Sequence, residues 1–327
     1  MEESRRFSVY HDQNILSHLR EGEPHRDAIM VMLDSLKSKG GHLVYSRIHI
    51  EECRAFHQSE QFIQVLNAIG GLYIVPEVTF NHQLLLRPNA AEGLLRGEDD
   101  FAAKSIQLSN DNLLLSQYAF GWLGALDASD LKNDMQNEID LWVDALKREP
   151  LGLLDTQPIL QQLSDNLQSI DLNRLRYEAK QAQLETDAEW NQRYSELDGT
   201  PNADLVERVL SYIDKKSQHI VSDMFPKSNW QEGAYQEAGT LAGLCILLFS
   251  QGVGRNRKVK SGKLEKRKKH FLAQFRDCCH IEEAARCHFF VSEDAGAIKL
   301  AQAVYAHAGV STQACLISLP KVSGAAD

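Results

Sequence analysis

The chain has 327 residues, of which 43% are hydrophobic and 24% charged, and it carries a formal net charge of −10 at pH 7. The composition is ordinary for a globular fold, and the length leaves room for a large core in one elaborated domain or two. The acidic balance disfavours a protein that coats DNA uniformly, and the most apolar stretch, Leu241 to Phe249, falls far short of the ~20 residues that cross a bilayer.

The N-terminus, MEESRRFSVYH, is charged and runs straight into an apolar stretch, so a signal peptide is not expected and a cytoplasmic location is. Phe7, Val9 and Tyr10 form a short aromatic and β-branched run that predicts a strand, with Asp12 at its end and a helical pattern behind it. Ile48, Glu52 and Phe56 then recur every fourth position, with Cys53 beside them, which predicts a helix presenting Glu52 on one face. Because helix phase is not fixed to within one residue, Glu51 is an alternative to Glu52.

From about Phe101 to Gln236 the chain turns rich in Leu, Gln, Asp, Asn and Glu. Leu131, Met135, Ile139 and Trp142 fall at helical intervals, and LNRLRYEAKQAQLETDAEWNQRYSEL predicts a long amphipathic helix broken at Asp198-Gly199-Thr200-Pro201. An α-helical insertion follows, giving the division 1–104, 105–236 and 237–327. Its apolar stripe reads first as core packing, with a lid or dimer surface as the functional alternative.

The segment from Gly254 to His270 holds Arg255, Arg257, Lys258, Lys260, Lys263, Lys266, Arg267, Lys268 and Lys269 against one acid. Such a run is either a solvated loop or a grip on a phosphate backbone, and lacking interleaved aromatics it offers charge rather than base stacking. Directly after it, Asp277 and His280 are three apart and share a helix face. Phe289, Phe290 and Val291 then predict a second strand, with Asp294 after it and another helical pattern beyond.

The pattern strand, acid, helix thus occurs twice. In an open α/β sheet, groups just beyond the carboxyl ends of strands line the ligand crevice, so Asp12 and Asp294 are expected there. Each also suits the N-cap of the helix it precedes. Four carboxylates, Asp12, Glu52, Asp277 and Asp294, would repel one another unless cations neutralise them, and oxygen ligands suit one or two Mg²⁺ or Mn²⁺ ions. Glu293 competes with Asp294 for the last place. The chemistry expected of such a centre is phosphodiester hydrolysis.

VYHDQNILSHL, YSRIHIEEC and the stretch from RDCCHIEEAARCHFFVSED through KLAQAVYAHAGVSTQACLI resemble the elements of PIN-domain nucleases, over a little under half of the chain. The resemblance implies a PIN-like parallel sheet flanked by helices, in a larger subgroup with a helical insertion. It implies a metal-dependent endoribonuclease, with RNA as substrate ahead of DNA. Asp12, Glu52, Asp277 and Asp294 take the ligand places, while Asn14, His280 and Ser292 support them. It also admits a homodimer and an inhibitory protein partner. Two rivals stand beside it. One is a PIN-like scaffold that binds RNA or protein without cutting. The other is a haloacid-dehalogenase-like phosphatase, which Asp12-x-Asn14 resembles but in which Asn14 cannot serve as the second acid.

Six cysteines without a regular framework predict reduced, buried thiols. Cys278, Cys279, His280, Cys287 and His288 lack the paired C-x₂₋₄-C knuckles of structural zinc. No phosphate-binding glycine motif and no G-x-S-x-G elbow occurs, so nucleotide cofactors are not expected.

Overall fold

The computed structural model describes residues 6–54, 59–75, 86–96, 187–212, 218, 222, 225–227, 240–254 and 264–319. By internal contacts the chain divides into one unit made of Met1–Ser109, Arg193–Asn256 and Ala273–Asp327, and a second made of Asn110–Gln192 and Arg257–Leu272. The first unit holds the sheet.

In chain order it begins with β1 (Phe7–His11), α1 (Gln13–His18), α2 (Arg26–Ser38), β2 (Gly41–Tyr45), α3 (Arg47–Arg54), α4 (Ser59–Ala68), β3 (Leu72–Ile74), β4 (Leu86–Pro88) and α5 (Ala91–Arg96). Within the expected insertion lie α6 (Asp187–Gly199), a 3₁₀ turn (Asn202–Asp204) and α7 (Leu205–Leu210), and after it come α8 (Thr240–Ser250), α9 (Leu264–Ala284), β5 (Phe289–Ser292), α10 (Ala295–Ala308) and β6 (Gln313–Leu316). The six strands lie in the order β4-β3-β2-β1-β5-β6. All neighbours are parallel except the β3–β4 pair, which is antiparallel. The fold is therefore mixed α/β, with a mostly parallel sheet flanked by helices.

That order positions the site. From β1 the chain steps outward to β2 and β3, then returns to lay β5 on the other side of β1, with Tyr10 opposite Phe290 and His11 opposite Val291. The direction of strand order reverses at β1, and a parallel sheet opens its crevice at such a reversal, beyond the carboxyl ends of the two strands. Asp12 and Asp294 are the residues found there.

The alternation along β1 explains how both faces are used. Val9 joins a core with Leu43 and Tyr45 of β2, Leu16 of α1, Leu33 of α2 and Phe62 of α4. Tyr10, one residue on, faces the other way, with its ring 5.7 Å from that of His280 on α9 and 6.2 Å from that of Phe290 on β5. Small residues let α10 lie close to the sheet: Ala297, Ala301, Ala303 and Ala308 are buried along it, and it ends at Gly309 in the left-handed conformation (φ 69°).

Most of the expected insertion at 105–236, including Leu131, Met135, Ile139 and Trp142, lies outside the described residues. Helix α6 stops at Gly199 and Pro201 precedes the 3₁₀ turn, where the Asp198-Gly199-Thr200-Pro201 break was expected. Among the described residues no helix is long and apolar enough to cross a membrane. The six cysteines are free thiols; Cys53, Cys245, Cys278 and Cys287 are buried, whereas Cys279 and Cys315 are half-buried.

Candidate functional site

Asp12 directly follows β1 and caps α1, with its Oδ1 accepting from the Ile15 amide at 3.3 Å. Its Oδ2 accepts from the Ser292 hydroxyl at 2.5 Å and from Asn14 Nδ2 at 3.4 Å. The carboxylate is buried, and burial pushes its carboxyl up from the ordinary value while the Ser292 bond opposes the rise. Asp294 stands at the matching place after β5 and caps α10, its Oδ1 accepting from the Gly296 and Ala297 amides at 2.6 and 3.1 Å. Its own amide donates to Ser292 Oγ at 2.9 Å. Ser292 thereby ties the two acids together. Capping and a place at the crevice are compatible, because the cap fixes each carboxylate without removing it from the sheet edge.

Glu52 and Asp277 arrive from two helices. Glu52 on α3 meets the His280 ring, with Nε2 3.1 Å from Oε2, and Arg276 Nη1 lies 3.8 Å from its Oε1. His280 is one turn beyond Asp277 on α9, and its Nδ1 lies 2.7 Å from the Tyr10 hydroxyl. Asp277 itself accepts from Gln274 Nε2 at 3.1 Å. Burial pushes its carboxyl well above the ordinary range, and the charges of Asp294, Asp12 and Glu52 add to the rise, with Arg276 opposing. The four acids thus share one electrostatic neighbourhood, although among the described residues no three His, Cys, Asp or Glu side chains converge closely enough to hold an ion as they stand. The donor set is oxygen only, the chemistry that fits Mg²⁺ or Mn²⁺.

The alternatives take other partners. Glu51 acts on Arg47 and on Cys279, while its neighbour Glu52 bonds His280, so packing fixes a helix phase that the sequence leaves open. Glu293 holds His18, with Nε2 3.1 Å from both carboxylate oxygens. The residues weighed for zinc are engaged elsewhere: His280 with Tyr10 and Glu52, His288 Nδ1 with the Ser8 amide at 3.1 Å, and Cys278 with Cys245.

A cavity of about 350 Å³ opens beside Asp294, its wall including Gln274, Tyr194, Lys299 and Gly254. Lys299 is held by the Asp198 carboxylate at 2.9 Å and by the Leu197 and Asp198 carbonyls at 3.0 Å. Gly254 has φ +64°, and a Cβ there would stand 2.6 Å from the Gly296 carbonyl, so only glycine lets this turn press on the first turn of α10. The basic segment leaves from that point. Arg255, Arg257, Lys258, Lys260 and Lys263 lie outside the described residues, whereas Lys266, Arg267, Lys268 and Lys269 fall in the helix that later carries Asp277.

Sequence reasoning passed over Tyr10, His49 and Gln274. Tyr10 reads as a core aromatic and Gln274 as an ordinary helix polar. His49 carried a signal in its spacing of three from both Ser46 and Glu52. Comparison of the chain with family models, with curated proteins and with solved structures returns no match.

Proposed function

We propose that the protein is a divalent-metal-dependent endonuclease of the PIN-like type, hydrolysing phosphodiester bonds in single-stranded or looped RNA. The observation that supports this reading is the placement of Asp12 and Asp294, joined through Ser292, at the reversal point of a parallel sheet, with Glu52 and Asp277 supplied by the neighbouring helices. Such a concentration of negative charge is costly to the fold unless a cation offsets it. Asp12, Glu52, Asp277 and Asp294 would hold one or two Mg²⁺ or Mn²⁺ ions. The chemistry supplied there is a bound water of lowered pKa and a counter-charge for the scissile phosphate.

The chain's own residues do the rest. Ser292 and Asn14 fix the direction of the Asp12 carboxylate, and the cap bonds of α10 fix Asp294. The cavity next to Asp294 gives a strand room to approach. The preference for RNA rests on the resemblance of the sequence elements to PIN-domain nucleases.

The test is cleavage of a mixed single-stranded RNA and DNA panel by purified protein with Mn²⁺, with Mg²⁺ and with EDTA. Cutting that needs metal, favours RNA and is lost in Asp12→Asn is the expected result. Folded, metal-loaded wild-type protein that binds RNA and cuts nothing would turn the reading to a binding scaffold.

The basic segment gives a second expectation. Replacing Lys266, Arg267, Lys268 and Lys269 with Gln should weaken RNA binding and flatten the slope of log affinity against log salt by up to about 3, because each phosphate contact on a single strand contributes ~0.7. Titration at several salt concentrations checks this, and an unchanged slope would return the segment to a solvated surface.

A further inference from the structure

We infer that Tyr10 is a positioning residue for Glu52, acting through the ring of His280. The consequence for metal binding rests on the nuclease reading; the geometry does not.

A carboxylate on a helix has several rotamers, and a ligand carboxylate works only when its neighbours select one. Glu52 Oε2 faces His280 Nε2 at 3.1 Å. For that contact to be a hydrogen bond, Nε2 must carry a proton, so in the neutral ring Nδ1 must accept. What faces Nδ1 is the Tyr10 hydroxyl at 2.7 Å. Tyr10 gives its single proton to that nitrogen and is left to accept, which the Ser46 hydroxyl allows at 2.8 Å. Ser46 Oγ in turn accepts from the Ile48 amide at 3.3 Å.

The remaining neighbour, His49, cannot reverse this order. Its Nδ1 accepts from the Ser46 amide at 3.1 Å, and its Nε2 donates to the His11 carbonyl at 2.8 Å. With Nδ1 accepting, it has no proton to give to Tyr10, which lies 3.4 Å away. With a neutral His280 ring the protons therefore run one way: Ser46 to Tyr10, Tyr10 to His280, His280 to Glu52. Tyr10, Ser46, His49 and His280 are each at most 1% exposed, so water does not replace a missing partner without rearrangement.

Three elements are locked by this chain: β1 through Tyr10, the start of α3 through Ser46 and His49, and α9 through His280. Without the hydroxyl, the buried Nδ1 lone pair of His280 loses its donor and the ring loses the contact that holds its plane. Nε2–H is then no longer aimed at one rotamer of Glu52.

The experiment uses the full chain with ¹⁵N-labelled histidine. Long-range imidazole ¹H–¹⁵N spectra should show His280 as the Nε2–H tautomer in the wild type, with its Nδ1 resonance moving toward that of a nitrogen that accepts no hydrogen bond in Tyr10→Phe. Calorimetric titration with Mn²⁺ should show about tenfold or greater loss of affinity in Tyr10→Phe, the scale expected when a partner behind a metal ligand is removed. In a His280→Gln background, whose amide donates to Glu52 without help, Tyr10→Phe should no longer change Mn²⁺ affinity. A residue that merely stabilised the fold would weaken both backgrounds alike.

The inference is overturned if wild-type His280 is the Nδ1–H tautomer or carries both protons, a result that needs no variant to fold. It is equally overturned if Tyr10→Phe binds Mn²⁺ as the wild type does, or if its effect persists beside His280→Gln. Wild-type protein that neither binds Mn²⁺ nor cuts RNA removes the nuclease reading and the metal role of Tyr10 together, while the spectra still decide the tautomer.

Discussion

Asp277→Asn is expected to raise the thermal midpoint of the metal-free protein at pH 7 while abolishing cleavage. The sign follows from linkage. In the folded chain the Asp277 carboxyl is held well above its ordinary value, first by burial and then by Asp294, Asp12 and Glu52. Over the pH range between the two values the folded state binds more protons than the unfolded one, so stability falls as pH rises through it. An ionised Asp277 is therefore a cost to the apo fold, and Asn removes the charge at almost unchanged volume. Added Mn²⁺ should raise the wild-type midpoint by more than the variant's. At a free concentration one hundred times Kd the wild type gains about 2.7 kcal/mol. Cleavage should fall by at least the ~100-fold that loss of an outer partner of a metal ligand can cost. Differential scanning calorimetry in EDTA and in Mn²⁺, beside a cleavage assay, checks all three. A variant less stable than the wild type in EDTA would contradict the electrostatic argument.

Acid should weaken the fold through His11. Its ring is 2% exposed, and burial pushes the imidazole down from 6.5 to about 4, against a smaller opposing effect of the bond to the Asp12 carbonyl. The unfolded chain takes up the proton near 6.5 and the folded chain does not until about 4. Stability present above pH 6.5 is accordingly lost as pH falls toward 4, by about 3 kcal/mol for this one group. His49, also pushed down, first by burial, acts in the same direction. Asp12 and Asp277 act in the opposite one, because their raised carboxyls gain protons on folding as the solution is acidified. A single curve would mix the two effects, so the comparison is with His11→Phe. Urea unfolding across this pH range should show the wild type losing about 3 kcal/mol relative to the variant. A constant difference would mean that the ring is protonated in the folded state.

Both effects have one origin, a polar site built into the buried edge of a sheet, and that origin decides what could be read from the sequence. The strands ending at Asp12 and Asp294 were legible because each is a short aromatic or β-branched run followed at once by an acid and a helical pattern. Helix α10 was legible for a similarly local reason, the helical pattern that follows Asp294. The order of the sheet was not, since it depends on residues 7–11 pairing with residues 289–292 across most of the chain. Glu52 could be narrowed only to two adjacent positions, because periodicity fixes a helix face less finely than a hydrogen bond to His280 does. The part played by Tyr10 was hidden for a related reason. A tyrosine in an apolar strand reads as packing, and its hydroxyl acquires meaning only when α3 and α9 bring Ser46 and His280 to it.

The basic segment differs in kind. Its charge is plain in the sequence, yet what that charge contacts is a matter of side chains outside the described residues. Its link to the site is the backbone turn at Gly254, where the absence of a side chain lets the chain lie against Gly296.

The most direct test of the central claim is a calorimetric Mn²⁺ titration of the wild type beside Asp12→Asn, Glu52→Gln, Asp277→Asn and Asp294→Asn. If the four acids serve one centre, the wild type binds one or two ions and every variant loses affinity by about tenfold or more. Mn²⁺ binding that is absent from the folded wild type, or that survives all four substitutions unchanged, would contradict it.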